Sequence, residues 1–139
     1  IIKSKPGDKI LEIGAGSGYQ AAVLGEIVDK VFTIEIVAEL AKTASDRLQK
    51  LGYNNVEVIS GDGYNGLEEE APFDAIIVTA ASEHIPPSLI KQLKEGGKMI
   101  IPVGSPFFVQ TLMLVEKKKG KISTSSLMPV RFVPFTRSE

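Results

Sequence analysis

The 139-residue sequence contains no cysteine and only one histidine, His84. Without cysteine the chain can form no disulfide, no thiolate nucleophile and no zinc site with cysteine ligands. The absence of disulfides is typical of a reducing compartment, so we expect a cytoplasmic protein. Nothing in the sequence indicates a metal site, and His84, in a predicted loop beside Glu83, is interpreted as a surface residue.

Long hydrophobic runs and an excess of charge of one sign are also missing. No apolar run approaches the roughly 18 residues that span a bilayer, and no signal peptide opens the sequence. A net charge of −1 gives no general attraction to nucleic acid or to an anionic membrane. The basic run at residues 117–119 is interpreted as a solvated hairpin turn. We therefore expect neither a nucleic-acid partner nor a membrane.

The size and composition are those of one soluble globular domain over residues 1–139. A chain of this length can bury roughly 68–70% of its unfolded surface. Hydrophobic residues make up 43% of the sequence and charged residues 24%, as in ordinary soluble proteins. Because the sequence opens Ile1-Ile2-Lys3 without an initiator methionine, we expect a fragment or a processed chain.

Strand-like and helix-like segments alternate along the chain. Apolar or β-branched runs predict strands at residues 10–13, 31–36, 56–59, 74–79 and 98–103. Helices are expected at residues 19–28, 38–51 and 88–93, with Gly96-Gly97 ending the last of them. Residues 110–116 and 121–133, joined by a turn at Lys119-Gly120, predict an antiparallel pair.

This order of segments predicts an α/β fold: a doubly wound, mostly parallel Rossmann-like sheet with right-handed crossovers, ending in an antiparallel hairpin. The strand at residues 74–79 is the most hydrophobic, which favours a central position. The helix at residues 38–51 is expected to bury one face. Its predicted core positions are Leu40, Ala41, Ala44, Leu48 and Leu51.

Three alternate glycines, Gly14, Gly16 and Gly18, directly follow the first predicted strand. Glycine is needed where the backbone takes a positive φ or where a ligand lies against the main chain. The first N–H groups of the next helix would point into the crevice where open α/β sheets bind nucleotides. A plain strand–helix turn without a ligand is the alternative interpretation.

The spacing G-x-G-x-G differs from the dinucleotide pattern G-x-G-x-x-G, and no lysine follows it as in an ATP-binding loop. Glu12 lies two residues ahead of the glycines, Glu35 ends the second strand where it could bind ribose hydroxyls, and Asp62 could receive the adenine amino group. An adenosine without phosphates explains this set best. We therefore predict S-adenosylmethionine as cofactor, with S-adenosylhomocysteine as product, since its cationic sulfonium and ammonium would suit Glu12.

Each of these acids has a simpler alternative: a solvated strand-end acid at Glu35 and an Asx turn at Asp62. The further predicted cofactor residues are Ala15, Ser17, Tyr19, Ile36, Gly61 and Gly63.

Several motifs together make the sequence similar to the protein-L-isoaspartate O-methyltransferase family. They are the segment Leu11-Glu-Ile-Gly-Ala-Gly-Ser-Gly-Tyr-Gln20, with Gly61-Asp-Gly63, Thr79-Ala-Ala81, Gly96-Gly97, Pro102-Val-Gly104 and the tail Pro129-Val-Arg-Phe-Val-Pro134. The glycine motif is common to all class I methyltransferases, whereas the Thr-Ala-Ala strand end and the tail are more specific. The resemblance covers essentially the whole chain.

The resemblance implies transfer of a methyl group to the α-carboxylate of L-isoaspartyl residues in damaged peptides and proteins. It also implies a substrate groove lined by Thr79, Ala80, Ala81, Val130, Arg131 and Phe132. Since a carboxylate is already ionised at neutral pH, no catalytic base is assigned. The family also carries an N-terminal helical segment with an Ile-Ser-x-Pro-like motif that helps close the site, and this sequence does not contain it.

Alternatives stay open for the groove and for the function. Thr79 is equally well explained as a packing residue, and Arg131 as an anchor for the last strand rather than a partner of a substrate carboxylate. A class I methyltransferase acting on a small molecule or RNA is a second hypothesis. A cofactor-binding domain with little turnover is a third.

Overall fold

The computed structural model describes residues 7–14, 19–105 and 108–131, without the side chains of Tyr19, Gln20 and Val23. Seven strands are described: β1 (Lys9–Ile13), β2 (Lys30–Glu35), β3 (Val56–Ser60), β4 (Phe73–Val78), β5 (Leu93–Val103), β6 (Gln110–Lys118) and β7 (Lys121–Val130). Three α-helices are described: α1 (Tyr19–Gly25), α2 (Ala38–Lys50) and α3 (Pro87–Gln92).

The strands form one sheet in the order β3-β2-β1-β4-β5-β6-β7. Strands β1 to β5 pair in parallel, and β6 and β7 pair antiparallel. The predicted fold class is therefore confirmed, and the most hydrophobic predicted strand, now β4, lies in the middle of the sheet. Among the described residues no helix is long and apolar enough to cross a membrane.

Two apolar clusters cover the two faces of the sheet, because neighbouring residues of a strand point to opposite faces. Ile10 and Val31 pack with residues of α1 and α2 on one face. Leu11 and Phe32 pack with Leu89 of α3 on the other. The sheet is thus held between helices, which leaves the ends of its strands as the place for a site.

The sequence predicts a wider buried face for α2 than the structure shows. Ala41, Ala44 and Leu48 are buried, but Leu40 and Leu51 are exposed. Only a narrow stripe of the helix contacts the sheet, and this stripe follows the three- and four-residue spacing of the buried positions.

The connections also differ from the prediction. α1 ends at Gly25, three residues earlier than expected. The connection between β3 and β4, for which no helix was predicted, contains two 3₁₀ turns, Gly63–Asn65 and Glu68–Glu70. Gly96 and Gly97 do not end α3, since they lie inside β5.

The pairing of β5 with β4 explains why the glycine pair lies within a strand. The register between β4 and β5 shifts between Phe73 and Ala75. At this irregularity a β-carbon on Gly97 would lie 2.8 Å from the Lys94 carbonyl oxygen and 3.0 Å from that of Asp74. The close approach of the backbones requires glycine there, which accounts for a glycine within a strand.

The antiparallel pair forms as predicted, with Lys119 and Gly120 both at positive φ (53° and 73°) in the two-residue turn. The solvated interpretation of the basic run is wrong for Lys117. Its Nζ donates to the carbonyl oxygens of Ile90 and Leu93, at 3.2 and 3.0 Å. Lys117 therefore binds carbonyl oxygens at the end of α3 and at the residue that follows it, while Lys118 and Lys119 are exposed.

Candidate functional site

The carboxyl ends of the parallel strands meet at one edge of the sheet, where open α/β sheets bind their ligands. We divide this edge into a β1–β3 half, formed by the residues at the ends of β1, β2 and β3, and a β4–β7 half. The second half comprises the residues after β4 and β5, the start of β6 and the end of β7, since β6 and β7 run antiparallel to β5 and to each other.

Glu12 is the most unusual residue of the β1–β3 half, because it is an acid only 1% exposed in the middle of a sheet. Its Oε1 accepts a hydrogen bond of 2.6 Å from the Thr33 hydroxyl on β2. Its Oε2 is buried and has no hydrogen-bond partner among the described residues. Burial raises the pKa of Glu12 to about 7, although the Thr33 hydrogen bond acts in the opposite direction. A buried carboxyl oxygen without a partner indicates a site for a donor or a cation.

Glu35, at the end of β2, is 8% exposed. Its Oε2 accepts a hydrogen bond of 3.0 Å from the backbone N–H of Val37, just before α2. The Gly61 N–H donates to the Glu35 carbonyl oxygen at 3.0 Å, which joins the ends of β2 and β3. The interpretation of Glu35 as a solvated acid is therefore wrong: its carboxylate is buried and fixed at the edge.

The Asx-turn interpretation of Asp62 is confirmed. Its Oδ1 accepts a hydrogen bond of 3.0 Å from the Tyr64 N–H and caps the first 3₁₀ turn. Gly63 is buried, and a β-carbon there would overlap the side chain of Ile13. The glycine thus lets the segment after β3 lie directly against the end of β1. Gly61 and Ile36 are half-buried at the same edge.

Gly14 joins the two halves of the edge. It has a positive φ of 99°, and its N–H donates to the Ile34 carbonyl oxygen at 2.7 Å. A β-carbon on Gly14 would lie 2.5 Å from the hydroxyl oxygen of Thr79. The predicted residues Ala15, Gly16, Ser17 and Gly18 lie outside the described residues, and Tyr19 is described only as the first residue of α1.

Thr79 follows β4, and its hydroxyl is directed to β1. The hydroxyl donates to the Ile13 carbonyl oxygen at 2.8 Å, and the backbone N–H of Thr79 donates to the same oxygen at 3.1 Å. The Gly14 carbonyl oxygen lies 3.3 Å from the hydroxyl. These contacts place Thr79 at the start of the glycine turn.

Backbone hydrogen bonds connect the segments of the β4–β7 half. Ala80 is half-buried and Ala81 is buried. The next residue, Ser82, donates its N–H to the Pro102 carbonyl oxygen at 3.1 Å and accepts from the Gly104 N–H at 2.8 Å. The chain after β4 is thereby joined to the end of β5.

The predicted C-terminal residues lie at the same edge as far as the structure describes them. Val130, the last residue of β7, pairs with Gln110, the first residue of β6. Arg131 is exposed, and Phe132 lies outside the described residues. His84 is exposed in the loop after β4, as expected, and its carbonyl oxygen accepts from the Ser82 hydroxyl.

Two buried polar residues at this edge, Thr33 and Gln110, were not predicted as site residues from the sequence. Gln110 is 2% exposed, and its Nε2 donates to the carbonyl oxygens of Ser105 and Phe108, at 3.2 and 3.1 Å. The available signal was a polar residue at the start of a strand that follows a glycine-containing connection. For Thr33, the signal was a hydroxyl-bearing residue inside the apolar run of residues 31–34. Among the described residues, no group of three or more His, Asp or Glu side chains could hold a metal ion.

Comparison with known proteins agrees with the resemblance. A family model described as Protein-L-isoaspartate(D-aspartate) O-methyltransferase (PCMT) matches residues 1–139. Protein-L-isoaspartate O-methyltransferase 2 of Polaromonas sp. is 59% identical over 137 residues, covering 98% of this chain and 65% of the relative. The protein of the same name from Syntrophobacter fumaroxidans is 62% identical over 128 residues, covering 91% of this chain and 52% of the relative. The chain therefore spans between about half and two thirds of the length of these curated relatives.

Solved structures of methyltransferases have the same fold as this chain. A protein-L-isoaspartate O-methyltransferase superposes with a TM-score of 0.87 at 32% identity, over 94% of this chain and 42% of its own. A Plasmodium falciparum protein described as a beta-aspartate methyltransferase, solved in complex with S-adenosyl-L-homocysteine, gives 0.79 at 29% identity, over 96% and 68%. An rRNA methylase from Streptococcus thermophilus, 24% identical with a TM-score of 0.60, shares the fold alone.

Proposed function

Since the chain belongs to the protein-L-isoaspartate(D-aspartate) O-methyltransferase family, we propose that it moves a methyl group from S-adenosylmethionine to the α-carboxylate of L-isoaspartyl residues in damaged proteins. Residues 1–139 would act as a single cofactor-binding methyltransferase domain. The structural observation that carries the cofactor part of this proposal is the buried Oε2 of Glu12, two residues before Gly14, which has no hydrogen-bond partner among the described residues. The acceptor is proposed from the family to which the chain belongs.

A cationic, adenosine-containing cofactor fits the β1–β3 half. A buried carboxyl group whose pKa is about 7 ionises readily when a cation lies beside it, because opposite charge favours the charged form. We propose that Glu12 faces the cationic methionine part of the cofactor and that Glu35 accepts from the ribose hydroxyls. Asp62, in the turn that it caps, would border the adenine. The remaining proposed contacts are Gly14, Ala15, Gly16, Ser17, Gly18, Tyr19, Ile36, Gly61 and Gly63.

The bound cofactor supplies an activated methyl group on a sulfonium. The acceptor carboxylate is ionised at neutral pH, so the protein need not remove a proton from it. What its residues contribute is alignment and the exclusion of water, and orientation alone can lower a barrier by about 7–11 kcal/mol in favourable systems. The hydrogen bond from Thr79 to the Ile13 carbonyl oxygen joins the ends of β4 and β1. This contact would fix the distance between the acceptor and the cofactor.

The acceptor is proposed to lie along the β4–β7 half. Ala80 and Ala81 would form its floor, and the end of β7 with Val130, Arg131 and Phe132 its side. The exposed guanidinium of Arg131 is suited to a substrate carboxylate, since it offers several N–H donors in a fixed plane. The methyl ester formed can close to a succinimide without the protein, when the next backbone nitrogen attacks the ester carbonyl and methanol leaves. Water then opens the ring to aspartyl or isoaspartyl residues, so repeated rounds would repair the residue. The net charge of −1 gives no general attraction to a nucleic acid, which favours a protein acceptor. The proposed location in the cytoplasm is based on the absence of cysteine.

The test is transfer of a labelled methyl group from S-adenosylmethionine to an isoaspartyl peptide, with the same peptide carrying normal aspartate as control. We expect incorporation into the isoaspartyl peptide alone, as a base-labile ester. Equal labelling of both peptides would favour a less selective class I methyltransferase. Absence of labelling by a folded protein that binds the cofactor would overturn the proposed activity for this chain.

A further inference from the structure

The hydroxyl of Thr79 is used on the cofactor side of the edge, although resemblance places this residue in the substrate groove. Its Oγ1 donates to the Ile13 carbonyl oxygen at 2.8 Å, with the Gly14 carbonyl oxygen at 3.3 Å. A hydroxyl has one proton to donate, and here that proton is directed at the backbone of β1. It is therefore directed away from any acceptor carboxylate.

The same hydroxyl occupies the space beside Gly14. A β-carbon on Gly14 would lie 2.5 Å from Oγ1 and 3.9 Å from the β-carbon of Thr79. Gly14 also has a φ of 99° and donates its N–H to the Ile34 carbonyl oxygen at 2.7 Å. The first residue of the glycine turn is thus fixed from the β2 side by a backbone hydrogen bond and from the β4 side by Thr79.

The position of Gly14 bears on where the cofactor would lie, because Gly14 directly follows β1, the strand that carries Glu12. Glu12, whose Oε2 is proposed to face the cofactor, is the residue just before Ile13. A shift at the Ile13 carbonyl would therefore move both the turn and the acid. Misplacement of a binding group by even about 1 Å is enough to weaken its contacts substantially.

We infer that Thr79 is a positioning residue for the cofactor, which holds the start of the glycine turn through the Ile13 carbonyl and contributes little to binding of the acceptor. The inference rests on the proposed function for the identity of the cofactor. It reverses the role that resemblance gives to Thr79.

Thr79→Val tests the inference, since valine keeps the shape of threonine and removes the hydroxyl proton. We expect the Kd for S-adenosylmethionine, measured by calorimetry, to rise about tenfold, close to the loss of one hydrogen bond. Thr79→Ser keeps the hydroxyl and is expected to stay within about threefold of the original protein. In the methyl-transfer assay, the KM for the isoaspartyl peptide should stay within about twofold in both variants, while the KM for the cofactor follows the Kd.

Thr43→Val is the matched control. The Thr43 hydroxyl also donates to a backbone carbonyl, that of Glu39 at 2.9 Å, but it does so on the exposed surface of α2. This variant should leave both KM values and the Kd unchanged. A rise in the peptide KM of Thr79→Val with an unchanged cofactor Kd would overturn the inference and restore the acceptor role.

The two proposals fail in different ways. If the unmodified chain binds S-adenosylmethionine but methylates no isoaspartyl peptide, the proposed activity fails, and the calorimetric comparison of the Thr79 variants still decides the role of Thr79. If Thr79→Val binds the cofactor as tightly as the unmodified chain, the inference fails whatever the activity. A chain that binds no S-adenosylmethionine would overturn both.

Discussion

The two halves of the site edge are held by different kinds of interaction. In the β1–β3 half, buried acids make side-chain contacts, as Glu12 does with Thr33 and Glu35 with the backbone N–H of Val37. In the β4–β7 half the contacts run mainly between backbones, and the buried side chains of Ser82 and Gln110 donate to carbonyl oxygens of the adjoining loops. The first half thus has the charges to hold a cation, and the second has a backbone framework on which a peptide could lie.

The strongest way to break the contact between the halves is Gly14→Ala. Both the positive φ and the overlap with Thr79 oppose a side chain there, so we expect a loss of about 2–5 kcal/mol in the free energy of unfolding. Urea titration followed by circular dichroism measures it. Gly7→Ala is the matched control, since Gly7 has a similar φ of 92° but no atom of the described residues lies within 4 Å of the added carbon, and it should lose only about 1–2 kcal/mol. Equal losses would show that Thr79 does not crowd Gly14.

Glu12 gives the β1–β3 half a dependence on pH. The folded protein keeps the Glu12 proton up to about pH 7, whereas the unfolded chain releases it near 4.5. The folded state therefore binds more protons between these values, and the free energy of unfolding falls as pH rises through them, by roughly 3 kcal/mol in total.

Glu12→Gln removes this contribution, so its unfolding free energy should fall less than that of the original protein as pH rises from 4.5 to about 7. Urea titrations at half-unit steps of pH compare the two proteins. Parallel pH profiles would show that Glu12 titrates like an exposed acid.

The two halves of the edge also differ in how far the sequence predicts them. Glu12, Gly14 and Glu35 lie within 24 residues of one another in the chain, and hydrogen bonds between β1 and β2 bring them to one edge. Their spacing was therefore enough to predict that they share the β1–β3 half. The role of Gln110 depends on carbonyls of a connection whose path the sequence does not determine.

Local patterns also misplaced some elements. Gly96 and Gly97 have the composition of a helix end, but the sheet register decides their position, and they lie within β5. The hydroxyl of Thr79 could be placed only once β4 was known to lie beside β1, because its partner, Ile13, is 66 residues away in sequence.

Glu35→Ala tests whether the β1–β3 half binds the cofactor and not the peptide. If the carboxylate accepts from the ribose, the affinity for S-adenosylhomocysteine should fall by about 1.5–3 kcal/mol, the range for hydrogen bonds to charged groups. The peptide KM at saturating cofactor should not change. Glu57→Ala, which alters an exposed acid on the neighbouring β3, is the control. A cofactor affinity that is the same in both variants would remove Glu35 from the site.

Gln110→Leu is expected to have the smallest effect. It should change the stability of the protein and leave the binding of the cofactor unchanged. Two carbonyl groups lose their buried donor, which should lower the free energy of unfolding by about 1–2 kcal/mol. The Kd for S-adenosylhomocysteine should stay the same, because Gln110 belongs to the β4–β7 half. Gln92→Leu provides a comparison, since Gln92 is also buried and bonded to the Asn65 carbonyl oxygen. A large loss of cofactor affinity in Gln110→Leu alone would contradict the division of the edge.

The most direct test of the account is the proton released when S-adenosylmethionine binds, measured by calorimetry at pH 6.5 in buffers of different ionisation enthalpy. Glu12 is mostly protonated at this pH when its pKa is about 7. If the cofactor cation lies beside it, binding should release about 0.7 proton. Glu12→Gln should release none and bind more weakly. Cofactor binding without this difference in proton release would show that the cation does not face Glu12, and would contradict the assignment on which the proposed function rests.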